Sequence, residues 1–217
     1  MDLIFQEEKY LVKTISAPEE VDSALRLRHD VFRDELRWVP PTADGLDRDP
    51  YDDFAESIGI FEHSELVGHV RLIPAPLPYM IEKEFASLLP EEGFSKVPGM
   101  SESTRICVRK DRRGDTVASL SLAHLLYKAI YHWSLKNDSR YLITIIEQRY
   151  FFYLKRFFPF VPVADFKPLG EGVMSGIAVL DWRAFEESAA VKRPEFFSWM
   201  STLNDPVPSG SLRHGPY

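Results

Sequence analysis

Seven charged residues and two rings are spaced so that they could line one reactive pocket. Arg28 and Phe32 stand four apart in a helix-like run, R-H-D-V-F-R, and Trp38 follows six later. Past Pro40-Pro41 the segment D-R-D-P-Y-D sets Asp47, Asp49 and Asp52 at alternate or near-alternate positions. Arg71 lies in V-G-H-V-R-L-I-P, and Glu102 and Arg105 lie in S-E-S-T-R-I-C-V. Ring faces and carboxylates both attract positive charge, so this combination suits a cationic organic ligand. The same residues also admit a plainer reading. Phe32 and Trp38 would be core rings, and Arg28, Arg71 and Arg105 with Asp49, Asp52 and Glu102 a salt-bridge network locking a loop to a sheet. Supports of a site are often ion pairs, so both readings can hold together.

The elements that must carry these groups can be placed from local pattern. Tyr10 to Ser16 alternates as a strand, and a helix follows with Pro18 in its first turn and Glu19-Glu20 well placed there. Val21, Leu25, Arg28 and Phe32 share one face of it. Ser57 to Phe61 and Leu66 to Pro74 read as a hairpin; His69 and Arg71 share a parity and so a sheet face. A helix is expected over Met80 to Leu88, a strand through Glu102 and Arg105, and a long helix over Val117 to Asn137, capped by Asp115 or Thr116. Arg140 to Ile146 is expected as a buried strand, Arg149 to Phe158 as an aromatic helix, and 161–166 and 173–182 as two more strands. This order indicates an α/β protein with six to eight strands and helices on both faces. Residues 1–193 should form one domain, and residues 194–217 an extension with one short helix at most and a disordered tail.

Composition bounds the function. The chain has 217 residues, 45% hydrophobic and 27% charged, enough for one sizeable core. A net charge of −7 argues against general nucleic-acid binding, which depends on phosphate neutralisation. No apolar run suits a membrane span, and the N-terminus lacks a basic-then-apolar signal pattern. The one cysteine, Cys107, excludes an internal disulfide framework, and no metal site is expected. These features point to the cytoplasm.

The strand, the R-R-G-D-T turn and the long helix resemble the GNAT acyltransferase superfamily, although only Gly114 of the expected glycine pair is present. A closer resemblance is to the LuxI-type acyl-homoserine-lactone synthases. It is carried by Arg28, Phe32, Trp38, the D-x-D-x-Y-D segment with Asp49 and Asp52, Arg71, the P-L-P-Y-M segment, and E-S-T-R with Glu102 and Arg105. Beyond Val108 that match thins, and the strand and helix I-I-E-Q-R-Y-F-F-Y-L-K-R-F-F resemble N-acyl amino acid synthases more.

The resemblance implies a GNAT-like fold with a central mixed, mostly antiparallel sheet and helices on both faces. It implies an N-acyltransferase that joins an acyl thioester to S-adenosylmethionine, a substrate rather than a tightly bound cofactor, and closes a lactone ring as a quorum-sensing signal. Glu102 would be the general base and Arg105 its partner, with Asp49, Asp52 and Arg71 in the same machinery. Arg28, Phe32 and Trp38 would bind the amine acceptor, Leu142 and Ile145 would line an acyl channel, and Glu147 would face solvent or the acceptor. The donor would be acyl carrier protein or acyl-CoA. An acidic carrier asks for a basic patch, for which Lys110, Arg112, Arg113, Arg149, Lys155 and Arg156 are candidates, as they are for a solvated face. An N-acyl amino acid synthase, an acetyl-CoA-dependent acetyltransferase and a non-catalytic acyl-binding module are the alternatives.

Overall fold

The computed structural model describes residues 2–169 and 172–206. Two short strands, β1 (Ile4–Glu7) and β2 (Tyr10–Thr14), precede α1 (Pro18–His29), which runs into a π-helical turn at Asp30–Glu35. A loop closed by a 3₁₀ turn at Pro50–Asp53 leads to the hairpin β3 (Glu56–Glu62) and β4 (Glu65–Pro74). After two further 3₁₀ turns come β5 (Met100–Val108), a small hairpin of β6 (Thr116–Val117) and β7 (Leu120–Ser121), and α2 (Leu122–Lys136). The chain ends with β8 (Tyr141–Glu147), α3 (Gln148–Leu154), β9 (Val161–Pro162), β10 (Lys167–Leu169), β11 (Val173–Asp181), α4 (Trp182–Lys192) and α5 (Pro194–Ser201).

One nine-stranded sheet has the order β1-β2-β3-β4-β5-β8-β11-β10, with β9 also paired to β11. Its ladders are antiparallel except for β5 and β8, which run parallel and pair only from Met100–Tyr141 to Ser103–Thr144. Beyond Ser103 and Thr144 these two strands part, leaving a wedge in mid-sheet. The strand count exceeds expectation because β1 and β10 are too brief to read from alternation, while the strand expected over 161–166 shortens to Val161–Pro162.

Helices cover both faces. On the back, Val70 and Leu72 pack with Leu125, Ile130 and Trp133 of α2 and with Trp182 and Phe185 of α4. On the front, Leu27 of α1 packs with Phe61, Leu66 and Cys107. Front-facing Ile73, Met100 and Ile143 are covered by Tyr79, Met80 and Ile81.

Three expectations change. Residues 80–88 form two 3₁₀ turns, Met80–Glu82 and Ala86–Leu88, rather than a helix. The long helix starts at Leu122, not Val117, because Ala118 and Ser119 both adopt left-handed φ (48° and 65°) and fold 116–121 into a hairpin. The boundary at residue 193 is not an edge of the core: α5 buries Phe196 and Met200 against α2 and α4. The expected disordered tail, 207–217, lies outside the described residues.

Candidate active site

Glu102 and Arg105 are three apart, so an ordinary strand would send them to opposite faces. A bulge prevents this. His69 pairs with Cys107 and Arg71 with Thr104, so Val70 alone faces both Arg105 and Ile106. Arg105 takes φ 54°, a left-handed conformation that costs a non-glycine residue roughly 1–2 kcal/mol. The bulge turns the Arg105 side chain to the front, beside Thr104 and Glu102.

The acids come from the loop after α1, and their positions are set by arginines from three elements. Arg28 donates through Nε to Asp47 (3.0 Å) and through Nη1 and Nη2 to Asp52 (2.6 and 3.2 Å). Arg71 bridges Asp49 (2.5 Å) and Asp52 (2.7 Å) while its Nε donates to the Thr104 hydroxyl (2.9 Å). Arg105 donates to Asp47 (2.7 Å) and Asp49 (3.3 Å). Asp49 and Asp52 also form a capping box over residues 50–53: the Asp52 carboxylate accepts the Asp49 amide (2.8 Å).

Arg33, which sequence reading passed over, completes the cluster by donating to Asp47 (2.8 Å) and to the Pro40 carbonyl. Four guanidinium groups thus face three aspartates. Asp47 is fully buried, and burial alone would raise its pKa; Arg105 and Arg28 outweigh that and hold it well below the carboxylate range. Asp52 is lowered likewise: Arg28, then Arg71, override its desolvation. The acids are therefore neutralised from within. The expected attraction of this loop for a cation falls to the rings, and the cluster's surplus guanidinium charge suits a carboxylate.

Glu102 joins this cluster through one residue. Its two oxygens accept the Met80 and Ile81 amides (2.7 and 3.0 Å), and the Met80 sulfur accepts from Arg71 Nη2 (2.9 Å). Glu102 is fully buried, and desolvation pushes its carboxyl up to about 7 despite those two amides and the nearby Arg71 charge. Each oxygen keeps a second lone pair for a proton.

The ring residues divide. Phe32 is buried with the Arg105 guanidinium 5.4 Å from its centroid, and Trp38, 54% exposed, lies 5.9 Å from Phe32. Tyr51 supplies a ring that was not foreseen, 5.6 Å from the Arg71 guanidinium.

Ile145 packs with the front-face cluster, whereas Leu142 is buried in the back-face core, so the two do not line one wall. Alternation along β8 separates them; Ile143 is the front-face companion of Ile145. Glu147 ends β8 and is half-buried.

The basic candidates also divide. Arg112 pairs with Glu62 (2.9 Å) and Arg113 with Glu35 (2.6 Å), beside an exposed Lys110. Arg149, Lys155 and Arg156 are exposed on or just after α3 and form no ion pair among the described residues.

Among the described residues, His29, Asp30 and Asp34 have metal-like spacing. The Thr42 amide donates to His29 Nε2 (3.3 Å), so in the neutral ring Nδ1 bears the proton and turns to Asp34 (3.4 Å), leaving no lone pair for an ion. Hollows of about 540 and 470 Å³ border Lys128 and Trp199, and Asp30 and Lys110, away from Glu102.

Comparison with known proteins places the fold first. A solved CoA-dependent acyl-homoserine lactone synthase, BjaI, with SAM and isopentyl-CoA, matches with a TM-score of 0.70 and 26% identity over 86% of this chain and 85% of its own. The fold is therefore the GNAT-like acyltransferase fold, a large mostly antiparallel sheet with helices on both faces. The autoinducer synthase family profile covers residues 13–173, and the chain belongs to that family. The acyl-homoserine-lactone synthase of Agrobacterium fabrum is 36% identical over 135 residues, 60% of this chain and 64% of that protein. That of Rhizobium radiobacter is 30% identical over 167 residues, 74% of this chain and 79% of that protein.

Proposed function

We propose that this chain is an acyl-homoserine-lactone synthase that makes a quorum-sensing signal in the cytoplasm, where S-adenosylmethionine and acyl thioesters are both available. The observation that carries the proposal is the convergence of Arg28, Asp49, Asp52, Arg71 and Arg105 on one buried cluster next to Glu102, in a member of the autoinducer synthase family.

The α-amine of S-adenosylmethionine attacks the thioester carbonyl; a C–N bond forms, the C–S bond breaks, and the thiol leaves with a proton. Glu102, whose pKa near 7 suits proton transfer at neutral pH, takes the remaining ammonium proton through water. The acceptor carboxylate then attacks its own γ-carbon. The C–S⁺ bond breaks, methylthioadenosine leaves as a neutral thioether, and the lactone closes. The four guanidinium groups against three aspartates favour that carboxylate, while Phe32 and Trp38 offer faces to the sulfonium side. The wedge between β5 and β8 admits the thioester arm, and Ile145 and Ile143 wall its front side. For a carrier-protein donor, the unpaired Arg149, Lys155 and Arg156 fit an acidic helix better than Arg112 and Arg113, which are occupied by their own acids.

The test is to incubate the protein with S-adenosylmethionine and either acyl carrier protein or CoA loaded with mixed acyl chains. Release of methylthioadenosine together with free thiol is expected. Free thiol alone would replace this reading with transfer to another amine, as in an N-acyl amino acid synthase; neither product would leave an acyl-binding module.

A further inference from the structure

His69 was notable in the sequence only as a neighbour of Arg71, and the chemistry above does not use it. It is fully buried in β4, beneath the charge cluster. The β5 bulge that brings Arg105 to the front also takes Arg105 out of the regular ladder, since the register resumes only at Cys107. A buried carbonyl displaced from its ladder needs another donor. His69 Nδ1 lies 3.1 Å from the Arg105 carbonyl, and Nε2 lies 3.1 Å from Ser57 Oγ.

A carbonyl can only accept, so Nδ1 carries the proton and Nε2 accepts from the Ser57 hydroxyl. Ser57 is the β3 partner of Arg71 in the sheet, so this chain of bonds crosses β3, β4 and β5 directly under the two arginines that hold Asp49. Burial, with the Arg28 and Arg71 charges adding to it, pushes the imidazole down to about 3, so the ring stays neutral and its tautomer is constant at working pH.

We infer that His69 is a positioning residue for Arg105: its Nδ1–H takes up the Arg105 carbonyl at the bulge and so holds the guanidinium on Asp47 and Asp49. The consequence for turnover rests on the reading that Arg105 serves the acceptor site. The geometric statement does not.

Asparagine places an amide N–H near the position of imidazole Nδ1, glutamine places its amide nearer to Nε2, and leucine has neither. The experiment therefore compares His69→Asn, His69→Gln and His69→Leu by two readouts. The first is the Arg105 Nε–H signal in a ¹H–¹⁵N spectrum, identified by its loss in Arg105→Lys. The second is acceptor KM and kcat in the methylthioadenosine assay. His69→Asn is expected to keep the signal and stay within about threefold of wild-type acceptor KM, while the glutamine and leucine variants lose the signal and raise KM at least about tenfold.

A ranking by side-chain volume, with Gln and Leu at or above Asn, would overturn the inference, as would an Arg105 signal unchanged in all three. Should the variants not fold, imidazole ¹⁵N shifts of the wild-type protein decide it: a protonated Nδ1 supports it, a protonated Nε2 refutes it. If the wild type releases no methylthioadenosine, the proposed reaction fails while both NMR readouts still judge His69.

Discussion

The two faces of the sheet are stabilised by opposite means. Behind it, Tyr127, Phe158, Phe160, Trp182 and Phe185 interlock as rings, with Tyr127 and Phe158 centroids 4.9 Å apart. In front, four arginines and three aspartates sit in a layer almost as dry. Apolar packing tolerates removal of a group at the cost of a cavity. A buried charge network does not tolerate loss of a partner, because the remaining charges are left desolvated. The back face therefore stabilises the sheet, and the front face fixes where charge stands. The same strands serve both, since β4 and β5 send alternate residues to each side.

The sharpest contrast pairs Asp47→Ala with Phe158→Ala. Each should cost about 3–5 kcal/mol in urea unfolding, the first by stranding Arg28, Arg33 and Arg105, the second by cavity formation. Only Asp47→Ala should also raise acceptor KM in the protein that remains folded. Equal KM for both would dissolve the distinction between the faces.

Next in size is the pH dependence. Glu102 has its folded pKa raised to about 7 from 4.5, so it binds a proton more tightly when folded; the stability this confers is full below about 4.5 and lost as pH rises through 7. That is on the order of 3 kcal/mol. Asp47 and Asp52 are shifted down, so their contribution is present above the ordinary aspartate range and lost on acidification. Neutral His69, His124 and His132, all pushed down by burial, add stability as pH rises toward 6.5, so the wild-type profile climbs. Glu102 shows in a difference: wild-type stability relative to Glu102→Gln should fall between about pH 4.5 and 7. A difference between the two proteins that stays constant over that window would contradict the buried Glu102.

On turnover, Glu102→Gln and Arg105→Ala should each slow the reaction at least about tenfold, equivalent to 1.4 kcal/mol, with both proteins still folded by circular dichroism. Wild-type rates in both would remove the pair from the chemistry. Charge reversal at Arg149 and Arg156 should raise KM for an acyl carrier donor by about threefold to tenfold, more at low salt, and leave a CoA donor less affected. Smallest in stability is Trp38→Ala, within about 0.5 kcal/mol of wild type because the ring is exposed, with a rise in acceptor KM as its only signature.

Much of the front face was legible because its residue types are expensive to bury and sit in short segments: Arg28, Asp49, Asp52 and Arg71 converge as their pattern suggested. Arg33 was not legible. Five residues beyond Arg28, it lies about 140° away on an α-helix. The π-helical turn, marked by the Leu36 amide bonding the Val31 carbonyl, widens the spiral and brings both guanidinium groups to Asp47. Leu142 was misplaced for a simpler reason: three residues from Ile145 on a regular strand, it faces the other side of the sheet, a parity visible in the sequence itself.

By itself, the sequence determined the alternation of strands and helices, the pairing of the β3–β4 hairpin and the inventory of charges, because these follow from local spacing and side-chain type. Only the tertiary structure decided that Glu102 and Arg105 face the same side, that the aspartates are neutralised before any ligand arrives, and that the β5–β8 ladder ends at Ser103 and Thr144. Each of these depends on a contact between residues distant in the chain: a bulge answered by His69, acids answered by arginines from three elements, and two parallel strands that part. Such contacts leave no local trace, because the groups that satisfy one another are brought together only by folding.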